Sequence, residues 1–211
     1  RLSCHPPEIE TRLRGFQRAV AQQAARVTFL RAGCGTGKTL AAYEWARKCC
    51  PGRRLYLCYP TTGTATEGFR DYLYDSGEGS GKAGAGLFHS RRDVDLALIL
   101  DAVEEGSRDG DSDTFLRIRS LESWSTRIVS CTVDTVLSLM QNHRTGLYAW
   151  PAFASSAFVF DEVHAYDERL FGSLLRFLIE LKGLPVLLMS ASLPRHRLEL
   201  LQRHLERNGE E

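Results

Sequence analysis

The sequence predicts an α/β domain, a mainly parallel β-sheet with helices on both faces. Short apolar runs alternate with helix-forming stretches from residue 27 to residue 207, the pattern of successive β-α-β units. The runs at 27–30 and 157–160 are apolar at consecutive positions rather than every second one, so strands there bury both faces. With 211 residues and 43% hydrophobic content, the chain can bury one good core, which leaves room for a small insertion but not for a second full domain.

Taken in order, a strand at 27–30 precedes a helix at 38–48, whose opening carries the good helix formers Ala41, Ala42 and Glu44. A second strand follows at 54–59 and a helix at 65–74. The glycine-rich stretch 76–86 reads as a mobile loop, and 93–105 as a helix carrying Val94, Leu96, Leu98 and Leu100. Residues 106–113 are polar and acidic, so 76–126 as a whole is expected to be a partly flexible insertion, with 1–12 a linker. A third strand at 127–130 leads into a helix at 133–140 capped by Thr132 or Asp134. The strand at 157–160 is followed by an amphipathic helix bearing Leu170, Leu174, Leu175, Leu178 and Leu181. A fifth strand at 185–189 and a helix at 195–207 complete the pattern, with no internal repeat.

Two segments carry chemistry. The first, Ala32-Gly33-Cys34-Gly35-Thr36-Gly37-Lys38-Thr39, lies between the first strand and its helix. Glycines there let backbone N–H groups turn inward around an anion, and the helix N-terminus adds partial positive charge. Lys38 is placed to reach the β and γ phosphates of a nucleotide, and Thr39 to offer its hydroxyl to Mg²⁺. Ala32 replaces the usual leading glycine, at a position that needs only a small side chain. The second segment, Asp161-Glu162-Val163-His164, follows the strand at 157–160, at the carboxyl edge where ligands of such sheets bind. Asp161 is expected to hold Mg²⁺ and Glu162 to polarise an attacking water. Both segments together describe a P-loop NTPase that binds and hydrolyses ATP, with Gly33, Cys34, Gly35, Thr36 and Gly37 lining the phosphate site.

Composition restricts the partners. With 27 Lys and Arg against 26 Asp and Glu, no global basic field announces nucleic acid, so any such surface must be local. Six cysteines form no C-x-x-C pair and show no zinc-like spacing with histidine, which suits thiols of a reducing cytosol. No run approaches a membrane span. The start at Arg1 lacks both a methionine and signal-peptide features, so the chain reads as an excerpt of a longer cytoplasmic protein.

Three hydroxyl-rich segments end the remaining strands: Pro60-Thr61-Thr62, Thr132-Val133-Asp134 and Ser190-Ala191-Ser192. Each can serve as a helix cap, and the first two can equally hold a nucleic-acid phosphate at a helix N-terminus. In this order they resemble the motifs of superfamily 2 helicases, whose motor is two RecA-like domains with ATP between them and a nucleic-acid strand across the top. The resemblance implies strand contacts at Pro60, Thr61, Thr62, Thr132 and Asp134. It also implies coupling of the two sites through His164, Ser190 and Ser192, although Ser192 stands where Thr is commoner. Upstream, Leu13-Arg14-Gly15-Phe16-Gln17 resembles the segment whose glutamine reads the adenine edge, an alternative being a Gln17 on a solvated helix face.

A finer likeness lies in Phe160-Asp161-Glu162-Val163-His164-Ala165-Tyr166-Asp167 and Leu188-Met189-Ser190-Ala191-Ser192-Leu193-Pro194. Leu87-Phe88-His89-Ser90-Arg91 and the segment from Cys131 to Leu137 add to it. These resemble the helicase of type I CRISPR interference, and the likeness runs from about Phe16 to Pro194. It implies the first RecA-like domain of an ATP-dependent DNA helicase that follows the strand displaced by a guide-RNA surveillance complex and is served by a histidine-aspartate nuclease domain. His89 and Arg91 are then either DNA contacts or the polar cap of the next helix. Other readings are an RNA helicase or remodeller outside CRISPR, and a catalytically silent nucleotide-binding module. The six histidines do not form the nuclease pair, and the second motor domain, whose arginine is worth roughly 10³ to 10⁵ in rate, is not encoded here. The fragment alone is therefore expected to bind ATP but to turn it over very slowly.

Overall fold

The computed structural model describes residues 13–75, 80–81, 85–88, 126–141 and 144–209. Helix α1 (Gly15–Val20) precedes strand β1 (Val27–Arg31), and α2 (Lys38–Cys49), β2 (Arg54–Tyr59) and α3 (Thr62–Tyr72) follow. Strands β3 (Tyr74–Asp75) and β4 (Ser80–Gly81) form an antiparallel ribbon, and β5 (Ala85–Phe88) comes next. Strand β6 (Ile128–Thr132) leads to α4 (Val133–Leu137), a 3₁₀ turn (Ser138–Gln141) and α5 (Arg144–Phe153). The chain closes through β7 (Ser156–Phe160), a second 3₁₀ turn (Val163–Ala165), α6 (Glu168–Glu180), β8 (Val186–Ser190) and α7 (Arg195–Arg207).

Six strands form one sheet in the order β1-β8-β7-β2-β6-β5, and every neighbouring pair is parallel. Alternate side chains of each strand feed two cores. Leu55, Leu57 and Tyr59 of β2 pack with Trp45 of α2 and Phe69 of α3, while Tyr56 and Cys58 pack with Phe153 of α5 and Phe177 of α6. The α1–α3 half of the chain thus covers one face, and the α4–α7 half the other. On the latter face Phe158 stacks on Tyr56 at 5.3 Å between ring centres and meets Phe177 edge-on at 5.0 Å. Pairs of this kind add roughly 0.5–1.5 kcal/mol beyond the area they bury. Because all six strands run the same way, every chemistry-bearing segment that follows a strand arrives at one edge.

The structure departs from the sequence expectation at four places. Helix α3 starts at Thr62 rather than 65, because Thr61 caps it, its hydroxyl accepting from Thr64 N at 3.2 Å. Ala85 and Gly86, expected in a loop, belong to β5 and pair with Ile128 and Val129. Gly86 is needed there for close approach, since a Cβ would lie 2.7 Å from the Phe88 ring. The helix expected at 133–140 ends as α-helix at Leu137 and tightens into the 3₁₀ turn. Helix α5, with Pro151 near its end, has no counterpart in the sequence reading; the proline lacks a donor, and the helix stops two residues later. The expected linker at 1–12, the helix at 93–105 and the acidic stretch 106–113 lie outside the described residues.

Candidate functional site

The phosphate loop leaves β1 where Ala32 N still donates to Ser190 O of β8, at 3.1 Å. Gly35 (φ 69°) and Gly37 (φ 89°) take left-handed conformations that ordinary side chains disfavour, and the Thr36 hydroxyl closes the turn by donating to Gly33 O at 2.7 Å. Gly37 also caps α2 without a side-chain hydrogen bond, so the first N–H groups of a twelve-residue helix stay available for an anion. Lys38 begins that helix, and Thr39 is half-buried beside it. Cys34 is exposed, with a free thiol.

Helix α1 braces this loop. Arg14 Nη1 donates to Thr36 O at 3.0 Å, and Gln17 Nε2 donates to Gly37 O at 3.0 Å, while Gln17 Oε1 accepts from Arg14 N at 2.8 Å. Gln17 is 3% exposed, so the solvated-face alternative does not hold. Its amide bonds the loop at one end and the Arg14 backbone at the other, each through one of its two donors or two lone pairs, so that adenine contact stays open to it.

Asp161 and Glu162 follow β7. Asp161 N is fixed by Cys58 O at 2.9 Å, and its Oδ1 accepts from Glu162 N at 2.8 Å. Burial pushes the Asp161 carboxyl above its ordinary range, an effect that the Glu162 backbone N–H and Lys38 only partly oppose. Glu162 is the one non-glycine with positive φ (49°) among the described residues, a conformation costing roughly 1–2 kcal/mol that aims its side chain back at the phosphate loop. Its Oε1 accepts from Lys38 Nζ at 2.7 Å. Its Oε2 lies 3.1 Å from His164 Nδ1 but is buried without a hydrogen bond, because that nitrogen is aligned instead with Ser190 Oγ, also at 3.1 Å. Ser190 donates its single hydroxyl proton to Ser192 O at 2.9 Å, so it accepts from His164, which places the imidazole proton on Nδ1.

The same donors bear on the metal. Mg²⁺ keeps several waters and takes one or two protein donors beside nucleotide phosphates. The Thr39 hydroxyl and the Asp161 carboxylate fit that requirement, whereas no cluster of three acidic, thiol or imidazole groups exists among the described residues to form an all-protein cage.

The other half of the edge is assembled differently. Tyr59 of β2 and Thr132 of β6 are register partners, so the turns after them lie side by side. Pro60 and Thr62 are half-buried and Thr61 is exposed; Thr61 and Thr64 close a reciprocal box, with their hydroxyls 3.0 Å apart. Thr132, expected at the surface, is 9% exposed and its hydroxyl pairs with Thr135 at 3.0 Å, which leaves Asp134 as the exposed polar side chain of that turn. His89 and Arg91 lie outside the described residues.

Sequence reasoning missed two residues. Arg14 is the extended N-cap residue of α1, three residues before Gln17, and its backbone N–H is held by the Gln17 side chain. Tyr166, three residues beyond Val163, is buried with a hydroxyl that has no hydrogen-bond partner, and its carbonyl accepts from Arg197 Nη1 of α7 at 2.6 Å. Among the described residues no helix is long and apolar enough to cross a membrane.

Comparison with known proteins gives this edge a lineage. The chain is 51% identical, over 96% of its length, to a protein named as a CRISPR-associated nuclease/helicase Cas3 of Myxococcus xanthus. It is 26% identical over 85% of its length to one so named of Methanocaldococcus jannaschii. It spans about a quarter of each relative, 28% and 24%. The crystal structure of T. fusca Cas3-AMPPNP superposes with a TM-score of 0.63 at 25% identity, over 94% of this chain and 24% of that one. The sheet is therefore the RecA-like sheet of helicase motors. A sequence profile described as DEAD/DEAH box helicase matches residues 14–201, from the arginine that braces the phosphate loop to the closing helix. With the loop, the paired carboxylates and Ser190 all inside that span, the chain belongs to the DEAD/DEAH box helicase family.

Proposed function

We propose that this chain is the first RecA-like motor domain of an ATP-dependent DNA helicase acting in CRISPR antiviral defence, where it binds Mg-ATP and single-stranded DNA. The observation that carries the reading is the shared carboxyl edge, on which the phosphate loop, Asp161 and Glu162 stand beside the capped turns at Thr61 and Thr132. The 51% identity to a Cas3 supports the pathway. Its partners are a second RecA-like domain, the guide-RNA surveillance complex and a histidine-aspartate nuclease domain. Free thiols at Cys49, Cys50, Cys58 and Cys131 suit action in the cytoplasm.

In this reading the triphosphate draws Lys38 away from Glu162 onto the β and γ phosphates. Thr39 and Asp161 would hold Mg²⁺, which would supply charge neutralisation at the phosphates. Glu162, released from Lys38, orients the attacking water and accepts its proton. Residues Gly33, Cys34, Gly35, Thr36 and Gly37 present backbone N–H groups to the phosphates, with Gln17 holding the loop. His164, aligned between Glu162 and Ser190, reports the change to Ser192. Pro60, Thr61, Thr62, Thr132 and Asp134 form the strand side.

The test is ATP turnover by the full-length protein with added single-stranded DNA or RNA. Stimulation by DNA well above that by RNA is expected; stimulation by RNA alone would move the protein to an RNA remodeller, and none by either would leave a silent nucleotide-binding module.

A further inference from the structure

Glu162 is left-handed at φ 49°, and a residue with a side chain keeps such a conformation only where its surroundings over-determine it. Glu162 opens the short 3₁₀ turn Val163–Ala165, and Tyr166 closes it. The entry is fixed by the sheet, since Asp161 N donates to Cys58 O at 2.9 Å. Within the turn Ala165 N donates to Glu162 O at 2.8 Å, and Tyr166 N to Val163 O at 3.3 Å. The exit is held from outside. Arg197 Nη1, thirty-one residues further along the chain, donates to Tyr166 O at 2.6 Å. The same guanidinium lies over the Phe171 ring, near the start of α6, at 5.0 Å from its centre. Arg197 thus grips both the turn and the helix that follows it, one through a charge-assisted hydrogen bond and the other through a cation–π contact. It is half-buried, and its own backbone N–H donates to Pro194 O at 3.0 Å, which anchors it to the start of α7. Water could satisfy a carbonyl at the end of a turn without the ordering of so long a side chain. The need for a firmer hold arises when a nucleotide displaces Lys38. Glu162 then loses the lysine that meets its carboxylate at 2.7 Å, and the backbone of the turn must keep that carboxylate in place.

We propose that Arg197 is a positioning residue for ATP hydrolysis: by pinning the exit of the turn to α7, it holds Glu162 in its left-handed conformation once Lys38 has moved to the phosphates. Without that bond the turn relaxes, and the carboxylate drifts from both the lysine and the attacking water. This inference rests on the reading of Glu162 as the base, given above.

The test compares full-length wild type with Arg197→Met, Arg197→Lys, Arg195→Met and Glu162→Gln, measuring ATP turnover with and without single-stranded DNA, ATP and strand affinity, and melting temperature. Methionine keeps an unbranched side chain to pack on Phe171 but neither the charge nor the donor, whereas lysine keeps both. Arg197→Met should melt within a few degrees of wild type. It should bind the strand equally and ATP as tightly or more tightly, since Glu162 then holds Lys38 less well. Its turnover at saturating ATP should fall by roughly tenfold, with and without DNA, the scale of one hydrogen bond to a charged group. Arg197→Lys should recover part of that loss. Arg195, its side chain 91% exposed and paired with Glu199 of the same helix, is the control, and Arg195→Met should keep its unstimulated turnover. Wild-type turnover in Arg197→Met, a loss of ATP affinity, no recovery with lysine, or an equal loss in Arg195→Met would each overturn the proposal. Turnover that survives in Glu162→Gln would instead defeat the assignment of the base, and the proposal with it.

Discussion

At the nucleotide half of the carboxyl edge, side chains hold partners far away in sequence; at the strand half they hold neighbours in their own turn. Lys38 after β1 reaches Glu162 after β7, and His164 reaches Ser190 at the end of β8. Thr61 pairs with Thr64, and Thr132 with Thr135, each three residues away. The first arrangement is a charged network that, in the function proposed, a nucleotide must take apart, because Glu162 holds the lysine proposed to meet the phosphates. The second consists of hydroxyl pairs within single turns, of which Thr61 caps α3 while Thr132 makes no cap hydrogen bond. Substitutions in the first half should therefore propagate, and those in the second should stay local.

The most severe way to probe the contrast is Lys38→Ala. It removes both the phosphate contact and the partner of Glu162, and turnover by the full-length protein should fall at least 10²- to 10³-fold, about what loss of one charge-stabilising donor costs. Nucleotide affinity, read by fluorescent-nucleotide titration, should fall with it while strand affinity does not. Gly37→Ala comes next, since its φ of 89° is strained for alanine and the new Cβ would sit 2.7 Å from Gln17 Nε2. Nucleotide affinity should drop by about tenfold, and adding Gln17→Ala should recover part of the loss, because the two residues share one contact.

What the sequence made legible, and what it hid, follows the same division. The loop, the carboxylates and the hydroxyl segments were visible because each is a short contiguous pattern whose chemistry is set by residue type and spacing. The strands were visible because burial on both faces leaves consecutive apolar residues. Hidden was whatever depends on a distant partner. Gly86 looked like a loop residue because the reason for a glycine in that strand is the ring of Phe88 and the neighbouring β6. The bond from Gln17 to Gly37 O was not legible because it is made across twenty residues. The left-handed turn at Glu162 and the burial of the Thr132 hydroxyl left no local signature.

In the strand half, Thr61→Ala removes an N-cap and should cost about 1 kcal/mol of stability, seen as a melting temperature roughly 2–4 °C lower. Strand affinity should weaken a few-fold with nucleotide affinity unchanged; a parallel loss of nucleotide affinity would show the halves to be less separate than drawn. The smallest effect concerns Asp161, whose carboxyl is raised by burial. Between its unfolded and folded values the native state binds more protons than the unfolded one, so stability falls as pH rises through that window and the penalty persists at neutral pH. Asp161→Asn should therefore raise the melting temperature of the nucleotide-free protein by a degree or a few at pH 7, a gain that shrinks under acid, while turnover is lost.

The most direct measurement is nucleotide binding and ATP turnover by full-length Glu162→Gln. The amide keeps the size of the side chain but can neither accept a proton from water nor pair as an ion with Lys38. ATP affinity equal to or tighter than wild type, with DNA-stimulated turnover abolished, is the predicted result; turnover that survives the substitution would contradict the account.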